Sequence, residues 1–370
     1  MQQRVIISQD IEHDLAQAIA ETEHDRVFVL TDDITQECCL PKVASLFAKH
    51  NATTITIRHD DTNKTLATLA DVWTALQRGG ATRHSLLVNL GGGMVTDLGG
   101  FAAATFKRGI NFINIPTTLL AMVDAAVGGK TGINFGGLKN EVGAFANARY
   151  VIVNTCFLDT LDTANLCSGY AEMLKHSLIS NAQIWAEHVN FDILQPDLAE
   201  LQRMVAASIT VKEHIVADDP HEHGIRKALN FGHTIGHALE EFSMQQPGGA
   251  VVSARLLPLA RARTAPKNTL LHGYAVAFGL IGELYISARK AGFPTARLHQ
   301  TTRFIRENYG AMAFTCDDYP TLLNLMRHDK KNTSDTINFT LLHDIGDIRI
   351  NQTATDEEIR EALDFIREGY

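Results

Sequence analysis

Two histidines four residues apart are the first feature of this sequence that could bind a metal ion. His233 and His237 lie in the run Asn230–His237, which precedes helical sequence. Residues at positions i and i+4 share one face of a helix, as a pair of metal ligands would. Thr234 stands where the HExxH motif has its general-base glutamate, so a zinc protease is disfavoured.

His272 and Glu172 are further candidates for the same metal ion. One glutamate with two histidines leaves coordination positions open, which is the arrangement of a catalytic zinc site. The sequence has 16 histidines, so pairs at helical spacing also arise by chance. Spacing alone therefore selects neither the pair nor any set of three.

Two glycine-rich segments could bind phosphate groups. Gly91–Asp97 follows a predicted strand, and such a strand–helix turn offers free N–H donors to a pyrophosphate. It is not a GxGxxG fingerprint, because Thr96 takes the last glycine position, and a turn without a ligand fits equally well. Gly128–Thr131 resembles the end of a Walker A loop, but Asp124 stands where that loop has its first glycine. We therefore expect a ligand-binding role for Asp124 and Lys130 rather than a triphosphatase.

Two kinds of sequence must position these residues. The first part of the chain alternates β-branched runs with helical stretches, which predicts a parallel sheet with helices on both faces. We expect an α/β N-terminal nucleotide-binding domain over residues 1–160 and a mainly α-helical C-terminal domain over residues 161–370. The predicted strands are Val27–Leu30, Thr54–Ile57, Leu86–Leu90, Phe112–Ile115, Tyr150–Val153, Ile337–Leu342 and Ile348–Ile350. The predicted helices are Ile34–His50, Thr65–Arg78, Gly169–Ser180, Leu198–Ala217, Lys227–Phe242, Ala275–Ala291 and Asp356–Arg367.

The composition disfavours several classes of protein. Of the 370 residues, 45% are hydrophobic and 20% are charged, as in ordinary globular proteins. A net charge of −9 disfavours a nucleic-acid partner, which would need a basic face. No apolar run approaches the ~20 residues of a membrane span and no signal-peptide pattern is present, so we expect a cytoplasmic protein with no membrane partner. The five cysteines show no CxxC spacing, and we expect them to be reduced.

A series of short motifs runs in one order along roughly residues 25–335. The motifs are Gly91–Asp97, Arg108-Gly109, Pro116–Ala121, Val123-Asp124, Gly128–Asn134, Lys139-Asn140, Ser168–Glu172, Leu229–His237, His272-Gly273 and Asp329–Lys331. Together they resemble the 3-dehydroquinate synthase family of sugar-phosphate cyclases. The resemblance implies a dehydroquinate-synthase-like fold, with an NAD-binding first domain and a metal- and substrate-binding second domain.

The resemblance also implies an activity. Members of this family are carbon–oxygen lyases of the shikimate pathway of aromatic amino acid biosynthesis. They convert 3-deoxy-D-arabino-heptulosonate 7-phosphate to 3-dehydroquinate and phosphate. Bound NAD takes a hydride from C5 and later returns it, so NAD is a catalyst rather than a consumed substrate. Phosphate elimination, ring opening and an aldol closure complete the reaction.

Residue roles follow from the same resemblance. A divalent metal, zinc or cobalt, would be held by Glu172, His233 and His272, and His237 would belong to the substrate site instead. Arg108 would enter from a neighbouring subunit, which implies a homodimer. The other implied substrate and catalytic contacts are Asp124, Lys130, Asn140, Lys212, Arg226, Asn230 and Lys330. The implied NAD contacts are Asp32, Asp61, Lys64, Gly93, Met94, Val95, Thr96, Asp97, Thr117, Thr118, Lys130, Lys139, Asn140, Phe157, Leu158, Asp159 and Thr160.

The sequence departs from the family pattern at four positions: Tyr274, Asp159, Asn154 and Asp61 stand where glutamate, lysine, aspartate and glutamate are usual. Three other functions compete with the synthase. They are a cyclase for a sugar phosphate without a carboxylate, a polyol dehydrogenase that releases NADH, and an inactive NAD-binding homologue. The segment from Gln245 to Asn268 lengthens the connection between His233 and His272, and we expect an exposed basic loop that either has no role or attracts the anionic substrate.

Overall fold

The computed structural model describes residues 3–245, 270–328 and 336–369 of the chain. The chain divides into two compact units. The first comprises Met1–Leu161 with Asp197–Ile209, and the second comprises Asp162–Pro196 with Thr210–Tyr370. The first unit thus takes in the start of a long helix that lies well beyond the predicted boundary at residue 160.

A six-stranded parallel sheet forms the centre of the first unit, with strand order β1-β8-β5-β4-β2-β3. The five strands predicted there are confirmed, and β1 is an addition. β2 and β4 are buried at every position, as expected for strands covered on both faces. The strands of this unit are β1 Arg4–Ile7, β2 Val27–Asp32, β3 Thr53–Ile57, β4 Leu86–Gly91, β5 Asn111–Pro116, β6 Lys130–Phe135, β7 Leu138–Phe145 and β8 Tyr150–Val153.

Two of these strands, β6 and β7, form a separate antiparallel hairpin that the sequence analysis did not predict. The helical segment predicted over Ile34–His50 was wrong as one helix: α2 and α3 flank a short 3₁₀ turn at Leu40–Lys42. That turn contains Pro41, which has no backbone N–H to continue an α-helix. The helices of the unit are α1 Ile11–Glu21, α2 Asp33–Cys38, α3 Ala44–Lys49, α4 Leu66–Arg78 and α5 Gly93–Thr105.

The second unit is mainly helical, as predicted, with one antiparallel hairpin. The predicted helix over Lys227–Phe242 was wrong in its first part, where a 3₁₀ turn at Ile225–Asn230 is followed by a break. Gly232 has a φ of +81°, which ends the turn and lets α9 begin at His233. The elements are α6 Thr163–Leu178, α7 Ala182–Asn190, α8 Leu198–Asp218 (shared with the first unit), α9 His233–Gln245, α10 His272–Lys290, α11 Thr295–Tyr309, α12 Tyr319–Arg327, β9 Asn338–Asp344, β10 Asp347–Thr353 and α13 Asp356–Glu368.

Two further predictions concern the whole chain. All five cysteines are free, which confirms that none forms a disulfide. Among the described residues, no helix combines the length and the apolar character that crossing a bilayer requires.

Candidate active site

The three predicted metal ligands lie on three helices of the second unit. Glu172 lies within α6, which begins where the side chain of Asp162 accepts a hydrogen bond from the backbone N–H of Asn165. His233 is the first residue of α9 and His272 is the first residue of α10.

The ligand atoms of these three residues converge. Glu172 Oε1 lies 3.4 Å from His233 Nε2 and 3.4 Å from His272 Nε2. Two ligand atoms of a tetrahedral zinc ion, each about 2.0–2.1 Å from the metal, lie about 3.3 Å apart. Glu172 is completely buried, and its Oε1 makes no hydrogen bond. A buried carboxylate oxygen without a hydrogen bond, flanked by two imidazole nitrogens, fits a divalent cation well.

The other oxygen of Glu172 has a fixed partner. Lys175, one turn further along α6 and also buried, donates a hydrogen bond to Glu172 Oε2. Burial would raise the pKa of Glu172, but Lys175 and His233 outweigh it and hold that pKa well below its ordinary value. The carboxylate is therefore ionised, with one oxygen used by Lys175 and Oε1 directed at the histidines.

Both histidines also have partners on their second ring nitrogen. His233 Nδ1 lies 3.1 Å from the carbonyl oxygen of Phe231, and His272 Nδ1 lies 3.0 Å from Glu240 Oε2. Burial would lower the pKa of His272, but Glu240 and Glu172 raise it to about 10, so without a metal its ring carries a proton on both nitrogens. Since a carbonyl or an ionised carboxylate can only accept, each Nδ1 is the donor to its partner and each Nε2 would bind the metal, which would displace the Nε2 proton of His272.

His237, the other histidine of the helical pair, lies in the same cluster. Its ring centre is 5.3 Å from that of His233 and 5.8 Å from that of His272. The ligand nitrogens of the three histidines lie within 4.8 Å of one another, so His237 is also close enough to share a cation. The fold therefore brings all four predicted residues together. The set of Glu172, His233 and His272 is distinguished by the two distances of 3.4 Å from Glu172 Oε1 to the histidine nitrogens.

The predicted substrate residues Lys212, Arg226 and Asn230 lie in the same unit, on α8 and in the turn before α9. Lys212 and Arg226 are buried. The Arg226 guanidinium donates to the carbonyl oxygen of Pro220 at 2.6 Å, and its backbone N–H donates to Asp219 at 3.1 Å. Buried cations of this kind are suited to binding anionic substrate groups.

Glu222 is a residue of this region that the sequence analysis missed. Its carboxylate accepts a hydrogen bond of 2.8 Å from the side-chain amide of Asn230. Its φ is +62°, an unfavourable backbone conformation for a residue other than glycine. Neither spacing nor hydrophobic pattern marks this position, and only the folded loop shows it.

In the first unit, the predicted NAD contacts occur at the carboxyl ends of neighbouring strands. Asp32 ends β2, Gly93 follows β4, and Thr117 follows β5. The backbone N–H of Thr117 donates to the carbonyl oxygen of Gly91 at 3.0 Å, which ties the ends of β4 and β5 together. Ligands of open α/β sheets bind at this edge.

An ionic cluster joins several other predicted NAD contacts. Lys64 Nζ lies 2.7 Å from Asp97 and 3.8 Å from Asp61, and Lys139 Nζ lies 3.7 Å from Asp61. Asn134 on β6 donates to Asp61 at 3.2 Å. Burial raises the pKa of Asp97 even though Lys64 opposes this shift. The hairpin is thus linked to α5 through Asp61 and Lys64.

Further NAD candidates lie in two turns of the first unit. Val95 and Thr96 are buried in the first turn of α5, next to Met94. Phe157 and Leu158 are buried in a 3₁₀ turn at Thr155–Thr160. In this turn the backbone N–H of Cys156 donates a hydrogen bond to the side chain of Asn154. Asp159 in the same turn pairs with Lys42 at 3.2 Å.

Three of the four departures from the family pattern have contacts in the structure. Asn154 and Asp159 have the hydrogen-bonding and ionic partners just described, within the first unit. In the second unit Tyr274 is buried, and its ring centre lies 5.1 Å from that of Tyr309.

Four predicted contacts lie in loops and on the hairpin of the first unit. Asp124 lies in a short π-helical turn, Ala121–Ala125, and Lys130 begins β6 with its side chain exposed. The backbone N–H of Asn140 donates to Asn134 Oδ1 at 2.9 Å, and Arg108 is exposed with a φ of +69°. Lys330 and the basic segment 246–268 lie outside the described residues.

Comparisons of the sequence with known proteins agree on one family. The profile described as 3-dehydroquinate synthase N-terminal matches residues 54–168, and the profile described as 3-dehydroquinate synthase C-terminal matches residues 169–257 and 260–332. A 3-dehydroquinate synthase of Parabacteroides distasonis is 50% identical over 369 residues, covering 100% of this chain and 99% of that protein. A 3-dehydroquinate synthase of Clostridium tetani is 32% identical over 343 residues, covering 92% of this chain and 86% of that protein.

Solved structures support the fold. A 2-epi-5-epi-valiolone synthase from Streptomyces hygroscopicus subsp. jinggangensis 5008, with NAD⁺ and Zn²⁺ bound, has a TM-score of 0.80 at 23% identity and covers 100% of this chain and 98% of that one. A 2-deoxy-scyllo-inosose synthase, complexed with carbaglucose-6-phosphate, NAD⁺ and Co²⁺, also has a TM-score of 0.80 at 23% identity, covering 100% of this chain and 96% of that one. The predicted dehydroquinate-synthase-like fold is confirmed.

Proposed function

Because this chain belongs to the 3-dehydroquinate synthase family, we propose that it converts 3-deoxy-D-arabino-heptulosonate 7-phosphate to 3-dehydroquinate and phosphate. The enzyme is a carbon–oxygen lyase that uses catalytic NAD and a divalent metal. The observation that carries the proposal most strongly is the buried, ionised Glu172, whose Oε1 lies 3.4 Å from both His233 Nε2 and His272 Nε2.

In this proposal Glu172, His233 and His272 hold zinc or cobalt. When bound, such a metal supplies Lewis acidity, which makes a coordinated hydroxyl easier to deprotonate and polarises a ketone. Lys175 neutralises the second oxygen of Glu172 and so directs Oε1 to the metal. His237, half-buried beside the other two histidines, is positioned to hold or move a proton of a substrate hydroxyl.

The substrate carries a carboxylate and a phosphate, and both need cations in a protein whose net charge is −9. Lys212 and Arg226 supply buried positive charge in the second unit, and Asn230 is oriented by Glu222. Asp124, Lys130, Asn140 and Lys330 remain predicted contacts on the evidence of the family motifs alone. For the adenosine and phosphate parts of NAD, the first unit offers the strand ends and the Lys64–Asp97 pair.

A homodimer is part of the proposal, because Arg108 would serve a neighbouring subunit. The hairpin β6–β7 supports a partner surface, since Phe135 and Phe145 are 52% and 55% exposed and Leu138 and Val142 are also exposed. Exposed apolar residues grouped on one hairpin are typical of a surface that another chain covers. The proposed occupant is a second copy of this chain.

Mixing two inactive variants tests this arrangement. If Arg108 acts across subunits, Arg108→Ala and Glu172→Gln chains that are unfolded and refolded together form heterodimers with one intact site. We then expect roughly a quarter of wild-type activity, because half of the dimers are mixed and one of their two sites is complete. Recovery of no activity, with dimers confirmed by sedimentation, would contradict an Arg108 contribution from the partner.

Phosphate release from the heptulosonate phosphate, with and without NAD and a metal chelator, tests the function itself. We expect release that requires both cofactors and no net rise in absorbance at 340 nm. A steady rise at 340 nm would instead indicate a polyol dehydrogenase. Turnover only with a sugar phosphate that lacks the carboxylate would indicate a different cyclase.

A further inference from the structure

Helices α9 and α10 each begin with a proposed metal-binding histidine, and each carries a buried glutamate directed at the start of the other helix. Glu240 on α9 lies 3.0 Å from Nδ1 of His272, the first residue of α10. Glu283 on α10 accepts hydrogen bonds from the backbone N–H groups of Gly232, Thr234 and Ile235, at 2.7, 2.9 and 3.2 Å. The two contacts are reciprocal.

Glu240 determines which nitrogen of His272 faces the metal site. Its carboxylate accepts a hydrogen bond from Nδ1–H, which leaves Nε2 as the ring nitrogen on the side of Glu172 Oε1, 3.4 Å away. In the corresponding position, His233 has the carbonyl oxygen of Phe231. A carboxylate behind a metal-binding histidine fixes the ring and increases its basicity as a ligand.

Glu283 acts on the backbone at the other histidine. The first N–H groups of an α-helix have no partner within the helix, and in a buried helix start they need another acceptor. Glu283 is completely buried and supplies both oxygens to the segment around His233. The position of His233 therefore depends on a residue of the helix that carries His272.

The contact between the two helices leaves little room for adjustment. A Cβ atom added to Gly279 on α10 would lie 1.9 Å from the carbonyl oxygen of Gly232, immediately before α9. The backbones thus approach as closely as glycine permits. This close contact fixes the distance between the two helices, and with it the distance from each glutamate to the start of the opposite helix.

We propose that Glu240 and Glu283, the carboxylate clasp, are positioning residues that hold His272 and His233 in metal-binding geometry. The inference rests on the proposed ligand set of Glu172, His233 and His272. In this proposal Glu240 acts through the ring of His272, and Glu283 acts through the backbone that places His233.

Zinc affinity tests the clasp directly. Apoenzyme with NAD bound is titrated with Zn²⁺ against a chromophoric chelator. We expect Glu240→Ala to weaken zinc binding about 10–100-fold, and Glu240→Gln to weaken it less, because the amide oxygen still accepts from Nδ1–H. Glu283→Gln, which turns an NH₂ group towards backbone donors, should also weaken binding. The neighbouring Glu241 is exposed, so Glu241→Ala is the matched control and should bind zinc like the wild type.

A cobalt spectrum separates positioning from general stability. With Co²⁺ in the site, we expect the visible absorption bands of Glu240→Ala to differ from those of the wild type, and those of Glu240→Gln to lie between them. A purely structural role would lower the thermal midpoint of the apoenzyme and leave the bands unchanged. Unchanged bands together with unchanged zinc affinity in Glu240→Ala would overturn the inference.

Glu172→Gln distinguishes failure of the clasp from failure of the metal site. If Glu172→Gln loses zinc while Glu240→Ala keeps wild-type affinity, the ligand set stands and the clasp is wrong. If Glu172→Gln keeps zinc, the ligand set is wrong and the clasp is contradicted with it. Loss of zinc in Glu172→Gln with graded weakening in the two Glu240 variants supports both.

Discussion

The proposed metal site and the proposed NAD contacts are built in opposite ways. In the second unit, Glu172, His233 and His272 come from three packed helices, with ligand atoms separated by 3.4 Å. In the first unit, the corresponding residues lie at strand ends, in turns and on a hairpin, and the side chains of Asp61 and Lys139 are nearly half exposed. A metal ion needs ligands placed within a fraction of an ångström, whereas a long dinucleotide can be held by many separate contacts.

Removing a metal ligand should have the largest effect. Glu172→Gln loses the charge and one acceptor at the centre of the site. We expect the rate of phosphate release to fall by more than about 100-fold, which exceeds the loss expected when a residue hydrogen-bonded to a metal ligand is removed. Metal analysis and a phosphate assay measure this. Full activity with stoichiometric metal would remove the contrast between the two regions.

The buried ion pair of the first unit should matter for stability. Lys64 is only 4% exposed and lies 2.7 Å from Asp97. Lys64→Met leaves a buried carboxylate without its cation, and we expect the free energy of unfolding to fall by about 3 kcal/mol at pH 7 in urea titrations. A loss below about 1 kcal/mol would show that solvent already stabilises Asp97.

The same variant carries a pH dependence of known sign. The pKa of Asp97 is raised in the folded state, so the folded protein binds more protons and this residue's contribution to stability falls as pH rises through that pKa. Without Lys64 the pKa rises further. We therefore expect the destabilisation by Lys64→Met to be smaller near pH 4 than at pH 7. A larger loss near pH 4 would contradict the sign.

In the second unit, the buried guanidinium of Arg226 should be sensitive to a change that preserves its charge. Arg226→Lys loses the planar set of donors, and we expect substrate binding to weaken by about 2 kcal/mol, roughly 30-fold, with NAD affinity unchanged by calorimetry. Arg289, whose side chain is 62% exposed, provides the control Arg289→Lys, which should bind substrate normally. Loss of NAD affinity instead would contradict the assignment of Arg226 to the substrate.

The smallest effect is expected at an exposed pair of the first unit. Lys42 and Asp159 lie 3.2 Å apart with both side chains substantially exposed. We expect Lys42→Ala to lower the free energy of unfolding by less than about 1 kcal/mol, since solvent and salt screen such pairs. If Lys42→Ala lowers the free energy of unfolding as much as Lys64→Met does, solvent exposure does not explain the difference expected between the Lys42–Asp159 and Lys64–Asp97 pairs.

The same contrast explains what the sequence could predict. The buried strands were predictable because a strand covered on both faces needs a largely apolar run, and Leu86–Leu90 is apolar except for Asn89. The break at Pro41 could have been predicted from the missing N–H alone. The strand β7 could not, because none of its residues is buried and its apolar residues therefore do not alternate with a buried face.

Contacts between distant residues were beyond the sequence. The spacing of His233 and His237 indicated a helical pair, but the atoms that converge on Glu172 belong to His233 and His272, on different helices. Only the family resemblance indicated that set. Neither pattern nor resemblance indicated Glu222, Glu240 or Glu283, since each acts by a contact that exists only after the helices pack.

Metal content of two histidine variants tests the central claim most directly. His237→Ala and His272→Ala are purified from zinc-supplemented medium, and bound metal per chain is measured by plasma emission spectrometry. The proposed ligand set predicts that His237→Ala keeps zinc and loses activity, while His272→Ala loses zinc. Retention of zinc in His272→Ala together with its loss in His237→Ala would contradict the account and return the metal to the helical pair.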